Sequence, residues 1–206
     1  MHPNPAFRQT PADRNLSFAR DRGFGILMLN GPDGPVAAHV PFVLSRDGAV
    51  ADMHLVRSNP VARALTAPQS ALLAVSGPDA YVSPDWYDLD HQVPTWNYVA
   101  VHLRGRLEML SSDDMRPHLD DLSASFENRL LPKAPWLVGK MPDDALDRMM
   151  RQIVPVRLTV LEVQGTWKLG QNKAAEARRG AADRMEASSV GSDPMAIAAL
   201  MRSVEG

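Results

Sequence analysis

Apolar and polar positions alternate with a period near two over much of this chain, and the alternation is interrupted at regular intervals by glycine and proline. Residues 23–29 (GFGILML), 36–45 (VAAHVPFVLS) and 49–55 (AVADMHL) are strand-like runs separated by NGPDGP and RDG. Asx-Gly punctuation between such runs predicts an antiparallel meander. A fully apolar strand follows at Ala71–Gly77; Gly77-Pro78-Asp79 is expected to turn it into residues 80–83. A long strand is predicted from Trp96 to about Leu110. It puts Val99, Val101 and Leu103 on one face, and Tyr98, Ala100, His102 and Arg104 on the other. Gly105 in that strand suggests a bulge or a close approach. A last alternating strand is expected over 154–163.

Helical signals are inserted between these runs. Thr10-Pro11-Ala12-Asp13 has the form of a capped helix start, and Gly23 a helix end. Asn59-Pro60 starts a second helix, with Asn59 as cap. Residues 111–128 form a third, limited by Pro117, and Pro142-Asp143-Asp144 starts a fourth after the irregular stretch 130–142. The Ala-, Met- and Arg-rich segment 174–206 predicts one or two short helices broken near Gly191–Pro194. About seven strands decorated by helices indicate a mainly antiparallel β-barrel, with residues 1–173 as its domain and 174–206 as a helical tail.

Composition alters this picture little. The chain has 206 residues, 45% hydrophobic and 22% charged, with a formal net charge of −2. That is material for one large domain, with no global attraction to nucleic acid or anionic membranes. The absence of cysteine excludes disulfides, thiolate metal sites and a cysteine nucleophile. No apolar run is long enough to span a bilayer and the N-terminus carries no apolar signal core, so a cytoplasmic protein is expected.

Candidate chemistry concentrates in Tyr81–His102, which holds all three tyrosines and two of the four tryptophans around an acidic, histidine-containing loop between Pro84 and Pro94. These aromatics suit either a wall for a flat ligand or a packed core or interface. Arg57 and Arg63 flank the Asn59 cap; they are either solvated surface residues or partners of an anion at the helix start, with Arg63 expected in the unfavourable first turn. His39, His54 and His102 lie on predicted strands, where hydrogen bonding in a half-buried wall is favoured over metal binding. Nucleotide-binding glycine motifs, nucleophile elbows and zinc-protease motifs are missing, and no catalytic or metal-binding residue is assigned. Aromatics, the amides Asn97, Gln171 and Asn172, and the cations Lys168, Arg57 and Arg63 together suit a flat phosphorylated ligand. FMN fits, and a nucleotide or tetrapyrrole remains open.

Five blocks sharpen this reading: AAHVP (37–41), His54 with Asn59-Pro60, GPDAYVSPDWY (77–87), VPTWNYVAVHLRG (93–105) and WKLGQNK (167–173). Their order and spacing over about residues 1–173 closely resemble the PaiB-like FMN-binding negative transcriptional regulators. The resemblance implies a split β-barrel of the flavin-reductase or pyridoxamine-phosphate-oxidase type, a homodimer with FMN at the subunit interface, and a repressor role. It implies that the strand around Ala38, His39, Val40 and Pro41 lines the isoalloxazine, while Arg57, Ser58 and Asn59 lie near the phosphate; Arg63 is a phosphate candidate from its charge beside the helix start. Trp96, Asn97 and Tyr98 would approach from the barrel wall or from the other subunit, with Lys168, Gln171 and Asn172 closing the site. Gly170 and Lys173 replace the Ser and Arg that family members often carry. A flavin-dependent oxidoreductase is the alternative on such a barrel. A DNA or regulatory partner is implied by the repressor role alone, because the basic tail residues are interleaved with Glu176, Asp183 and Glu186.

Overall fold

In the computed structural model, which describes residues 1–204, seven strands are hydrogen-bonded in the order β2-β1-β5-β6-β7-β4-β3. They are β1 (Phe24–Gly31), β2 (Gly34–Pro41), β3 (Val43–Leu44), β4 (Val50–Val56), β5 (Gln69–Val82), β6 (Thr95–Met109) and β7 (Ile153–Lys168). The helices are α1 (Ala12–Arg22), α2 (Pro60–Ala64), α3 (Met115–Glu127), α4 (Asp143–Met150), α5 (Ala175–Met185) and α6 (Pro194–Arg202). The fold is an antiparallel split β-barrel with inserted helices. No helix among the described residues is long and apolar enough to cross a membrane.

Two compact units are present: residues 16–75 with 102–163, and residues 1–15 with 76–101 and 164 onward. The first holds the barrel hairpins. β1 pairs antiparallel with β2 from Phe24↔Pro41 to Gly31↔Gly34, and β3 pairs with β4. The expected three-strand meander is therefore two hairpins. Only Phe42 separates β2 from β3, yet these strands lie at opposite ends of the sheet order. One residue can bridge the ends of a seven-stranded sheet only if the sheet curls until its ends meet, and β2 does pack against β4. Pro41, which cannot donate to a ladder, stands where the chain changes sheet ends.

Leu27, Ala51, Met53, Leu73, Leu103, Leu107, Val156 and Leu158 are fully enclosed in this unit, as the period-two pattern requires. On the outer face Asp52 and Arg157 are register partners of β4 and β7 and form a two-pronged ion pair at 2.6 and 2.7 Å. Gly105 is needed because a Cβ there would stand 1.9 Å from the Thr159 carbonyl oxygen. Gly23 ends α1 with φ +58°. Pro117 falls in the first turn of α3, where no backbone N–H is missed, and the preceding turn is closed by a Ser111–Asp114 capping box.

In the second unit, Gly77-Pro78-Asp79 does not turn: β5 continues from Gln69 to Val82. The β1 ladder covers β5 only as far as Ala74. Beyond it, Tyr81 N–H donates to the Val190 carbonyl at 3.0 Å, Asp193 N–H to the Asp79 carbonyl at 3.3 Å, and Asp79 accepts from Ser192. Pro78 thus sits on a stretch that the sheet leaves as an edge, where proline is tolerated. Strand β7 likewise outruns its predicted end and continues through Gly165-Thr166-Trp167-Lys168. Gly165 allows this, since a Cβ would meet the Asn15 side chain at 2.1 Å; Asn15 instead accepts a hydrogen bond from Trp167 Nε1 at 2.8 Å. The helical tail supplies much of this unit's core, with Ala181, Ala182, Met185, Ile197, Ala198 and Met201 wholly buried.

Candidate functional site

The residues expected to form the site fall into two sets, one in each unit. In the barrel unit, His39 lies on the outer face of β2 with its ring stacked on Phe24 at 6.4 Å between centroids. Val40 points inward and is 3% exposed, which leaves only its backbone for any ligand; Pro41 is half-buried. Arg57, Ser58 and Arg63 are exposed. Arg57 Nε donates to the Arg151 carbonyl at 2.6 Å, and its backbone N–H to Gln152 at 2.9 Å. Asn59 caps α2 as expected, its side-chain oxygen accepting from Val61 N–H at 2.9 Å. That helix is only five residues long and carries Arg63 in its last turn. The expected clash between Arg63 and a helix dipole therefore does not arise, because the dipole of so short a helix is small and Arg63 stands at its favourable end.

In the second unit, Thr95 to Tyr98 open β6, and alternation decides what each residue can do. Trp96 is 44% exposed and meets Tyr81 edge-on at 6.3 Å. Asn97 is 1% exposed, donates to Met201 Sδ at 3.3 Å and hydrogen-bonds the Tyr87 hydroxyl. Tyr98 is half-buried. Lys168, at the end of β7, donates to Thr95 Oγ1 and to the Trp96 carbonyl at 2.7 Å. Burial, helped by nearby Lys173, lowers the Lys168 pKa. Gln171 accepts from Leu169 N–H at 2.8 Å and donates to the Trp167 carbonyl, closing the turn in which Gly170 has φ +77°.

Asn97, Lys168 and Asn172 are brought together around a cavity of about 250 Å³, with Tyr87, His91 and Lys173 as further lining. The latter three were not singled out for the site, although Lys173 and Tyr87 lie within the distinctive blocks. Lys173 donates to Gln92 Oε1 and stands 5.5 Å from the Tyr87 ring centroid. Gln171 instead faces a second cavity beside Trp167 and Arg14. The 84–94 loop is held by α5: Arg184 donates to Asp88 at 2.6 Å and to the carbonyls of Asp85 and Trp86.

The strand histidines behave differently from one another. His54 Nδ1 lies 3.0 Å from Nε2 of His118 on α3, a partner that sequence spacing gave no reason to choose. His102 has a buried Nδ1 without a hydrogen bond. Among the described residues no cluster of three or more His, Cys, Asp or Glu is arranged to hold a metal.

The sequence profile of the family described as "Putative FMN-binding domain" matches residues 1–162. This chain belongs to that family. Its cofactor is FMN. The cavity beside Lys168 carries two cations, Lys168 and Lys173, and the amides of Asn97 and Asn172, with the buried rings of Phe7 and Tyr87 behind them. Protease synthase and sporulation protein PAI 2 of Bacillus subtilis is 30% identical over 169 residues, covering 81% of this chain and 80% of that protein. The fold is similar to that of the FAD and heme binding protein from Mycobacterium smegmatis, with a TM-score of 0.59 at 18% identity over 80% of this chain and 74% of the other. It also resembles the flavocytochrome Anf3 from Azotobacter vinelandii, with a TM-score of 0.57 at 15% identity over 81% and 72%.

Proposed function

We propose that this protein is an FMN-binding regulator or sensor of the PaiB type that works as a homodimer. The observation carrying this reading is the match to the FMN-binding family over residues 1–162, together with the similarity to PAI 2 along four-fifths of both chains. Lys168, Lys173 and Asn172 would hold a polar edge of the cofactor. Trp96 would offer a face to the ring. In the barrel unit, taken by itself, the exposed Arg57 and Arg63 are the candidates for a phosphate group. Buried Asn97 acts as a positioning residue that fixes the start of β6 through Met201 and Tyr87. When bound, FMN supplies a redox-active ring whose oxidation state a regulator can read.

The tail favours action through a protein partner over direct DNA contact. Arg178 is 2% exposed and bonded to the Met201 and Val204 carbonyls. Arg184 is paired with Asp88, and Arg202 with Asp183 and Glu186. Few of these cations remain for phosphates.

Titrating FMN with the purified protein while following flavin fluorescence tests the cofactor assignment, and quenching that saturates at one FMN per chain is expected. Protein that neither quenches FMN nor retains it on gel filtration removes the reading. Arg57→Ala is expected to weaken FMN about tenfold and riboflavin hardly at all, since only FMN carries phosphate. Equal losses would place Arg57 away from the phosphate. Sustained FMN-dependent oxidation of NADH or NADPH would move the assignment from regulator to oxidoreductase.

A further inference from the structure

The barrel unit contains a cavity of about 320 Å³ that none of the residues considered for FMN lines. Its walls come from α3, α4, the irregular connector between them and the end of β4. They are mostly apolar, with Trp136, Met141, Leu146 and Met150 prominent. At one side lies His54. Its Nδ1 is engaged by His118 Nε2 at 3.0 Å, with the rings crossed at 68°, and its Nε2 has no hydrogen-bond partner among the described residues. Nor is that nitrogen sealed off, since the buried unpartnered side-chain atoms are Arg20 Nε and His102 Nδ1. A well-packed domain closes dry voids this large, because each forfeits dispersion contacts. A mostly apolar chamber of this size with a few polar groups on its wall, His54, Ser123 and Gln152 among them, has instead the make-up of a small-molecule site.

We propose that this cavity binds a small, neutral aromatic molecule bearing a hydroxyl group, with the hydroxyl on His54 Nε2. Three observations define the class. The thioethers of Met141 and Met150 and the indole of Trp136 favour a flat ring, through sulfur–aromatic and ring–ring contacts. Neutrality follows because the apolar wall offers no countercharge to an anion, and Asp120, the one carboxylate lining the cavity, is already bonded to Arg116 at 3.0 Å. A hydroxyl follows from the histidine pair. Whichever imidazole carries the shared proton, His54 Nε2 is left either as a donor or as an acceptor, and a hydroxyl satisfies both.

The probe is 1-naphthol, compared with naphthalene, added to full-length FMN-loaded protein and measured by equilibrium dialysis. Naphthol is expected to bind about three- to tenfold more tightly, the difference one hydrogen bond to a half-buried imidazole makes. Ser123→Phe and Val138→Trp fill the cavity from α3 and from the connector respectively. At least one of them, shown folded by circular dichroism and still retaining FMN, should abolish naphthol binding. His54→Phe should remove the preference for naphthol while naphthalene still binds. His118→Phe should keep the preference, because His54 Nε2 remains. The proposal is overturned if naphthol does not bind at millimolar concentration, if naphthalene binds equally well, or if the filled variants bind as the unaltered protein does. Loss of FMN with naphthol binding intact would overturn the cofactor reading alone.

Discussion

At Gly105 a single hydrogen atom decides whether two strands can meet. A methyl group there would overlap the Thr159 carbonyl oxygen, a backbone atom that cannot rotate away. Gly105→Ala is expected to destabilise the fold by about 3 kcal/mol or more, read from chemical denaturation; a loss under about 1 kcal/mol would mean that β6 and β7 separate easily. The His54–His118 pair sets a pH dependence. Burial holds both imidazoles neutral, and His118 is lowered from its usual value of 6.5 to about 4, while Asp52 and Asp121 oppose the shift. Since the folded value is the lower one, the unfolded chain binds more protons in this interval, and stability falls as pH drops from about 6.5 to about 4. Replacing His118 with Phe is expected to flatten that part of the melting-temperature profile. An unchanged slope would assign it to other groups.

At the scale of elements, helix α6 has a role its sequence did not disclose. Its buried face, Ile197, Ala198 and Met201, completes the core of the second unit, and Met201 receives the Asn97 amide. Ile197→Ala is expected to cost about 2–4 kcal/mol, checked by denaturant titration. A smaller effect would indicate a loosely held tail. The strands show where pattern reading succeeds and fails. The faces of β6 followed from alternation, because burial on one side imposes period two, and Val99, Val101 and Leu103 are indeed at most 2% exposed. The turn expected at Gly77-Pro78-Asp79 is missing because local turn chemistry is overridden by hydrogen bonds from residues more than a hundred positions later.

For the molecule as a whole, two uncovered apolar side chains stand on neighbouring strands: Leu161 on β7 is 75% exposed, and Met109, at the end of β6, is 44% exposed. Such residues fit the contact of the proposed homodimer. Sedimentation is expected to give twice the chain mass, and Leu161→Arg to shift it toward the monomer with loss of FMN. A wild-type protein that sediments as a monomer would exclude the dimer. A variant that stays dimeric would place the contact elsewhere.

The sequence by itself determined the antiparallel β class, the faces of β6, the capped start of α2 and, through blocks of unusual specificity, the FMN-binding family. Each of these depends on neighbours along the chain or on motif order, which a linear string records. Only the tertiary structure decided which residues stand together. It turned a supposed meander into two hairpins at opposite ends of a curled sheet, buried Asn97 under α6, paired His54 with His118 and opened a cavity beside them. Those outcomes depend on packing between residues distant in sequence, and no local propensity or spacing specifies them.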